Sequence, residues 1–275
     1  MTPISISGII ILLTIIVSYK GFKDHFFLDK YSFKVDAVLI QKDYKRIITS
    51  GFLHVGWTHL IFNMLALYFF SSSLENYIGA MNFLVIYLSG LLGGDLLSLF
   101  IHRHHGEYSS VGASGAITGI IFSSIALFPG MNIGLFLLPA IPGWLFGTAY
   151  VLISIYGIRS RTDNIGHDAH LGGGLAGMLV AILLFPSALI ENTFTILIVA
   201  VPAILFILFI VYKPQALLID NIFFKNRQNL TVEDKYNLNK RNRQKELDKL
   251  LEKIHNKGMN SLSKKEKATL EEYSK

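Results

Sequence analysis

The amino-acid sequence predicts an all-α, polytopic membrane protein. Hydrophobic residues make up 52% of its 275 residues and charged residues only 16%, against roughly 25% charged in soluble domains. The charge is also unevenly placed. Residues 1–212 carry 10 Lys and Arg and 10 Asp and Glu, so the whole net charge of +6 lies in residues 213–275. We therefore expect a transmembrane domain at 1–212 and a basic, polar C-terminal tail at 213–275.

Seven apolar stretches are candidates for membrane helices, since a bilayer core about 30 Å thick needs about 20 apolar residues. They lie at about 3–19, 54–73, 80–101, 112–128, 132–156, 168–186 and 192–212. Pro139 and Pro142 predict that the fifth stretch becomes a regular helix only after Gly143. Residues 20–53 are predicted to form a long first loop of mixed polar and aromatic composition.

The tail is predicted to form a helical hairpin over residues 244–274. Four apolar residues recur at helical spacing and would form one stripe: Leu247, Leu250, Leu251 and Ile254. Ser263 and Glu266 have the spacing of a capping box, and Leu270 and Tyr273 would pack back on the stripe. The alternative is a solvated charged tail. Its basic charge is expected to bind anionic lipid or a soluble partner, or only to keep the chain soluble.

Three apolar stretches carry polar groups near their N-terminal ends, and such groups are costly inside a membrane. The second stretch holds His54, His59 and Asn63 in HVGWTHLIFN, the fourth begins with Ser114 in VGASGAITG, and the sixth holds His170 in GHDAHLGGGLAGM. Because even-numbered helices run in the same direction, these ends share one face of the membrane. The sequence therefore brings a serine, several histidines and an asparagine to similar depth.

This set of side chains suits nucleophilic catalysis. A serine hydroxyl attacks only if a base takes its proton, and His170 can serve Ser114 if the fourth and sixth helices approach closely. Two pairs of small residues predict that approach: Gly115 with Gly119, and Gly173 with Gly177. Asp168 lies on a different helical face from His170, so a Ser–His dyad is expected rather than a triad.

A developing oxyanion needs hydrogen-bond donors. The backbone N–H of Ser114, the Asn63 amide and the His59 ring are the candidates, and His59 and Asn63 share a helical face because they are four residues apart. His54 is expected to line a polar entrance with Ser109 and Ser110. No cofactor or metal is required for this chemistry.

The three motifs, in this order and spacing, resemble the rhomboid intramembrane serine proteases over roughly residues 40–180. The resemblance implies a six-helix bundle plus one extra C-terminal transmembrane helix. It also implies Ser114 as the nucleophile, His170 as the general base, and His59 and Asn63 as oxyanion donors. The structural and site-lining residues would be His54, Gly112, Gly115, Gly173 and Gly177.

Some other positions match the family pattern, and two depart from it. Four residues match its first-loop and second-loop patterns: Arg46, Thr49, Glu75 and Gly79. Where the family has a Trp-Arg pair in the first loop, this chain has Lys45-Arg46. Where the family usually has an aromatic residue that stacks on the catalytic histidine, four residues after the serine, this chain has Thr118.

Other candidate sites are less favoured. HExxH is absent. Leu92-Gly93-Gly94-Asp95 falls short of the G-x-G-D motif and no second suitable intramembrane aspartate occurs, so Asp95 is expected to be a buried, hydrogen-bonded residue. One loop is rich in histidine and contains His102, His104 and His105 with Glu107. It is either a metal site or a solvated loop, and the solvated loop is favoured. His167, one turn before His170, is a second candidate base.

The sequence thus predicts an intramembrane serine endopeptidase, multi-pass, in the bacterial inner membrane. Its partners would be the lipid bilayer and substrates with a transmembrane helix, and no nucleic acid. The alternative is a non-catalytic rhomboid-like protein that binds membrane helices. A small-solute transporter is less favoured, because the spans show no internal repeat.

The orientation in the membrane stays open. With seven spans, the loops after the odd-numbered helices share one face, and all 25 Lys and Arg fall on it. The charge-bias rule puts that face in the cytoplasm. The same face holds the candidate active site, which the resemblance puts on the side of the membrane away from the cytoplasm.

Overall fold

The protein is described by a computed structural model that covers residues 5–128, 130–134, 139–160 and 165–213, and parts of the tail. The described tail residues are 247, 250, 251, 253, 254, 259–263, 266, 267, 269 and 270. The chain divides into two compact units, Met1–Asn221 and Ile222–Lys275.

Seven helices of 14 residues or more occur in the described part of the first unit. They are α1 (Ile6–Lys23), α2 (Trp57–Ile78), α3 (Ala80–His102), α4 (Ser114–Leu127), α5 (Gly143–Ser160), α6 (His167–Leu184) and α7 (Thr193–Tyr212). Each overlaps one of the seven predicted stretches, so the predicted all-α fold is confirmed.

Four of these helices, α1, α3, α6 and α7, are long and apolar enough to cross a membrane by themselves. A fifth span results if α2 is counted together with Arg46–Phe52, which meets it at an angle of 93°. Helix α4 is only about 21 Å long at 1.5 Å per residue, which is shorter than a bilayer core. The chain is a multi-pass membrane protein. Among the described residues, four or five spans satisfy this length and composition test, where the sequence predicted seven.

The first loop is more ordered than the sequence predicted. Helix α1 continues to Lys23, and three short helices follow it: His25–Tyr31, Val35–Leu39 and Arg46–Thr49, the last extended by a 3₁₀ turn at Ser50–Phe52. Strand β1 (Phe33–Lys34) pairs antiparallel with β2 (Ser109–Ser110). Phe33, Val35 and Val38 are buried together beside this pair, so a small apolar cluster of its own orders the segment.

The start of the fifth helix is as predicted. Helix α5 begins at Gly143, directly after β4 (Ile141–Pro142), which pairs antiparallel with β3 (Asn132–Ile133). Pro142 has no backbone N–H to donate, and it lies at the end of this short hairpin rather than inside the helix.

Helix α4 lies at the centre of the first unit. It packs against α2, α3, α5, α6 and α7, and every residue after Ser114 is buried. Its nearest neighbours approach through glycines: a Cβ added to Gly177 would lie 2.5 Å from Gly119 Cα, and one added to Gly90 would lie 3.1 Å from Ala116 Cα. The predicted contact of the fourth and sixth helices is observed, and α3 shares it.

In the tail unit, described residues on both sides of the Met259–Ser261 turn are helical. The Ser263 N–H donates to Glu266 Oε2 at 2.7 Å and the Glu266 N–H donates to Ser263 Oγ at 3.2 Å, which is the predicted capping box. The Lys253 ammonium, 2.7 Å away, and Ser263 lower the pKa of Glu266 to about 2. Tyr273 lies outside the described residues.

We predict that Gly177→Ala lowers the free energy of unfolding by about 1–3 kcal/mol, because the added methyl group has no space against the backbone of α4. Thermal unfolding of the purified protein in detergent measures this. Gly134→Ala is the control, since among the described residues its Cβ would meet only Ala140 Cβ, at 3.8 Å. Equal unfolding temperatures for the two variants would contradict the packing argument.

Candidate active site

Ser114 is the first residue of α4 and is half-buried, whereas the rest of that helix is buried. The first backbone N–H groups of a helix have no acceptor within that helix. Ser114 therefore lies among backbone N–H groups that can donate to a group outside α4. The side chain of Thr118, one turn later, donates from Oγ1 to the Ser114 carbonyl oxygen at 2.8 Å. The serine is therefore held at the end of a rigid, buried helix.

The chain neighbours of Ser114 and His170 are in contact. A Cβ on Gly115 would lie 3.2 Å from the Ala169 carbonyl oxygen, and one on Gly173 would collide with the Gly115 carbonyl oxygen. Residue 115 follows the serine and residue 169 precedes the histidine, so the α4–α6 contact is at the level of both candidate catalytic side chains. His170 is half-buried, as Ser114 is.

The His170 ring is bound by a residue that sequence reasoning missed. Tyr150, on α5, has its hydroxyl 3.0 Å from His170 Nδ1, and the two rings lie 5.9 Å apart at 35°. Thr118, which replaces the family's aromatic residue, lies 3.2 Å from the same hydroxyl. Thr118 at this position was the one sequence signal, because it showed that the family's usual aromatic contact to the histidine is missing here. Nothing in the sequence singled out Tyr150.

Asp168 faces away from His170, as predicted. Its Oδ2 lies 3.1 Å from His102 Nε2 at the end of α3, and both side chains are largely buried. The His102 ring stacks on Tyr108 at 3.6 Å. The carboxylate therefore links α6 to α3 instead of orienting His170, which agrees with a dyad.

His54 is fully buried, so the prediction that it lines an entrance is wrong. Its Nε2 accepts from the Ala113 N–H at 3.5 Å, and its Nδ1 lies 2.9 Å from Ser18 Oγ, which donates to the Phe52 carbonyl at 3.0 Å. His54 thus connects α1 to the residue that precedes Ser114. Ser109 and Ser110 are half-buried in β2.

His59 and Gly112 lie beside Ser114. A Cβ on Gly112 would lie 3.1 Å from His59 Nε2 and 3.8 Å from Ser114 Oγ, so only a glycine leaves the space between these two groups open. Gly112 also has a φ of 138°, a conformation that side chains rarely adopt. Asn63 is buried one turn further along α2, and its Nδ2 donates one proton to the His59 carbonyl at 2.9 Å. An amide has a second proton to donate.

The matched loop residues hold backbone segments in place. Arg46 is buried and donates to the carbonyl oxygens of Asp29 and Ser32 at 2.8 Å. In contrast, Lys45 is exposed and pairs with Asp43.

The other matched residues also fix the backbone. Glu75 accepts from the N–H groups of Ile6 and Ser7, and so caps α1. Thr49 donates to the Tyr31 carbonyl at 2.8 Å, and Gly79 joins α2 to α3 with a φ of 82°.

The remaining candidates lie outside this cluster. Asp95 accepts from Ser50 Oγ at 2.9 Å in a buried position, as predicted. His167 is buried with its ring against Gly157, so it is enclosed between α6 and α5 rather than open to the site. Within the residues that the structure describes, no three His, Asp or Glu side chains are grouped as metal ligands.

Comparison with known proteins gives matches in both parts of the chain. Residues 41–187 match the Rhomboid domain, and residues 230–275 match a family of unknown function (DUF6576). Rhomboid protein 1, mitochondrial, of Saccharomyces cerevisiae is 38% identical over 162 residues, which are 56% of this chain and 45% of the yeast protein. Rhomboid protease GluP of Bacillus subtilis is 31% identical over 150 residues, 54% of this chain and 27% of that protein.

A vertebrate relative is also similar. Presenilin-associated rhomboid-like protein A, mitochondrial, of Danio rerio is 33% identical over 136 residues, 48% of this chain and 35% of the fish protein. The matched segments thus span half or less of the length of these three relatives.

We predict that His54→Ala lowers the free energy of unfolding by about 1–3 kcal/mol, because it leaves the Ala113 N–H without an acceptor in a buried position. Ser18→Ala should add little to His54→Ala, since both remove the same link. A double-mutant cycle in detergent measures this, with an expected coupling of about 0.5–3 kcal/mol. Ser89→Ala, whose hydroxyl donates to the Val85 carbonyl one turn earlier in α3, is the control. Strict additivity of the two variants would refute the link.

Proposed function

Because the chain belongs to the rhomboid family, we propose that it is an intramembrane serine endopeptidase that hydrolyses peptide bonds in or near the transmembrane helices of membrane proteins. The observation that carries the proposal is the contact of Gly115 with Ala169. This contact lies one residue from a half-buried serine at the start of α4 and one residue from a half-buried histidine on α6.

In the proposed reaction, Ser114 Oγ attacks the scissile carbonyl carbon while His170 takes the hydroxyl proton. The histidine then gives this proton to the leaving amine as the C–N bond breaks, which leaves an ester on Ser114. Water, activated by the same histidine, hydrolyses the ester. The partial exposure of both side chains supports water access to this step.

The oxyanion is proposed to bind at the start of α4. The Ser114 N–H is a helix-terminal donor with no acceptor inside its own helix, and the open space at Gly112 lies between Ser114 Oγ and His59 Nε2. The second amide proton of Asn63 supplies a further donor from the same side, because Asn63 follows His59 by one turn of α2. Such donors lower the barrier only if they are fixed before the reaction, and the packing of α2 against α4 supports that.

The alternative function is recognition of membrane helices without cleavage. The retained Ser114 and His170 favour catalysis, since a binding protein has no need of either. The membrane is proposed to be a bacterial plasma membrane, which the Bacillus subtilis relative supports. The mitochondrial relatives support an organellar membrane instead.

We predict that the purified protein cleaves a generic transmembrane substrate in detergent, and that Ser114→Ala and His170→Ala each lower kcat/KM by at least about 10³-fold. Ser89→Ala and His104→Ala are the matched controls, because the Ser89 hydroxyl donates to a carbonyl of its own helix and His104 lies in an exposed loop position. Equal cleavage by the Ser114→Ala protein would exclude this serine as the nucleophile. A folded wild-type protein that binds the substrate helix without cutting it would favour the alternative.

We also predict that Asp168→Asn retains kcat/KM within about tenfold, whereas loss of a triad carboxylate costs about 10⁴-fold. The substitution removes the charge that faces His102 Nε2 at 3.1 Å but keeps a polar amide oxygen there, so the unfolding free energy should fall by only about 1–3 kcal/mol. Steady-state cleavage and thermal unfolding of the same preparation separate the two effects. A fall of about 10⁴-fold in the kcat/KM of a stably folded Asp168→Asn protein would show that the carboxylate takes part in the reaction.

A further inference from the structure

Two hydroxyl groups connect the start of α4 to the ring of His170. Thr118 Oγ1 lies 2.8 Å from the Ser114 carbonyl oxygen and 3.2 Å from the Tyr150 hydroxyl, which lies 3.0 Å from His170 Nδ1. These contacts join α4, α5 and α6 in one hydrogen-bonded chain. Neither hydroxyl takes part in the proposed steps of proton transfer and oxyanion binding.

The number of protons fixes the direction of each bond in this chain. A carbonyl oxygen only accepts, so the shorter contact directs the single Thr118 proton to the Ser114 carbonyl. Thr118 Oγ1 then accepts the proton of Tyr150, which leaves the Tyr150 oxygen with only lone pairs toward His170. Nδ1 of His170 therefore carries the ring proton, and Nε2 is the unprotonated nitrogen.

We propose that Tyr150 is a positioning residue that holds His170 in the tautomer a general base needs, and that Thr118 sets the direction of the Tyr150 hydroxyl. This inference rests on the proposed function, in which Nε2 takes the Ser114 proton. When the ring becomes an imidazolium, its Nδ1–H still donates to Tyr150, and that bond becomes charge-assisted. The two hydroxyls thus do what a carboxylate does in a triad.

The surroundings of Tyr150 support this role. Its ring lies edge-on to Phe122 of α4 at 5.9 Å and is stacked on Phe146 of α5, also at 5.9 Å. Packing therefore fixes the position of the hydroxyl. The nearby carboxylate of Asp168 is engaged with His102, so it does not compete for Nδ1.

Thr118→Val tests the direction of the chain, because it removes the hydroxyl and keeps a similar volume. Without an acceptor at 118, the Tyr150 proton is free to donate to Nδ1, which turns the ring to the Nε2–H tautomer. Thr118→Ser keeps a hydroxyl, and Tyr150→Phe keeps the ring but removes the acceptor for Nδ1–H. Tyr156→Phe, on the same helix and 68% exposed, is the matched control.

Nitrogen-15 NMR of the full-length protein, labelled at histidine and held in detergent micelles, distinguishes the two tautomers. The His170 signals are identified by their loss in His170→Ala. We expect Nδ1–H in the wild type and in Tyr156→Phe, Nε2–H in Thr118→Val, and Nδ1–H again in Thr118→Ser. A wild-type ring in the Nε2–H form, or a Thr118→Val ring that does not change, would overturn the inference.

Cleavage kinetics give the second readout. Thr118→Val and Tyr150→Phe should each lower kcat about 10- to 100-fold, the effect of one lost hydrogen bond to a charged group. KM should change by less than about threefold, and Thr118→Ser should restore kcat. A wild type that cleaves, with Thr118→Val equal to it in kcat, overturns the inference and leaves the proposed function intact. If the tautomers behave as expected but the wild type cuts nothing, the tautomer assignment is supported and the proposed function fails.

Discussion

The contact of three glycine-rich helix faces is the constraint on which the rest of the structure depends. Helices α3, α4 and α6 approach until backbone meets backbone, with Gly177 against Gly119 and Gly94 against the Ala169 carbonyl. Lipid chains are as apolar as the helix surfaces, so close packing, rather than the hydrophobic effect, holds such helices together. The same contact puts the start of α4, which carries Ser114, beside the start of α6, which carries His170.

Buried polar groups then fix the parts around this contact, because each links segments that are distant in sequence. Ser18 and His54 connect α1 to the turn before α4, Ser50 and Asp95 connect the first loop to α3, and His102 and Asp168 connect α3 to α6. A buried polar group without a partner is costly, so these bonds favour one arrangement of the helices over slipped alternatives. The Tyr150 hydroxyl is the member of this set that reaches the candidate base.

Features that depend on apolar length, small-residue spacing and motif order could be predicted from the sequence. The seven helices, the α4–α6 contact, the start of α5 at Gly143 and the separate face of Asp168 are of this kind. Partners across the bundle could not be predicted, since Tyr150 and His102 meet α6 only through tertiary packing. The ordered structure of residues 20–53 was missed because its apolar cluster is small and because strand β1 pairs Phe33 with Ser110, which is distant in sequence. The burial of His54 was missed because its partners, Ser18 and Ala113, are also distant in sequence.

The most direct test of the proposed Ser–His site is a structure of the protein after reaction with a fluorophosphonate, which phosphonylates an activated serine with loss of fluoride. We expect density continuous with Ser114 Oγ, and a phosphonyl oxygen within hydrogen-bond distance of the Ser114 N–H and of His59 Nε2 or Asn63 Nδ2. Tyr150 should still lie against His170 Nδ1 in that complex. A phosphonyl group on another residue, or one on Ser114 whose oxygen points away from α2, would contradict the proposed site.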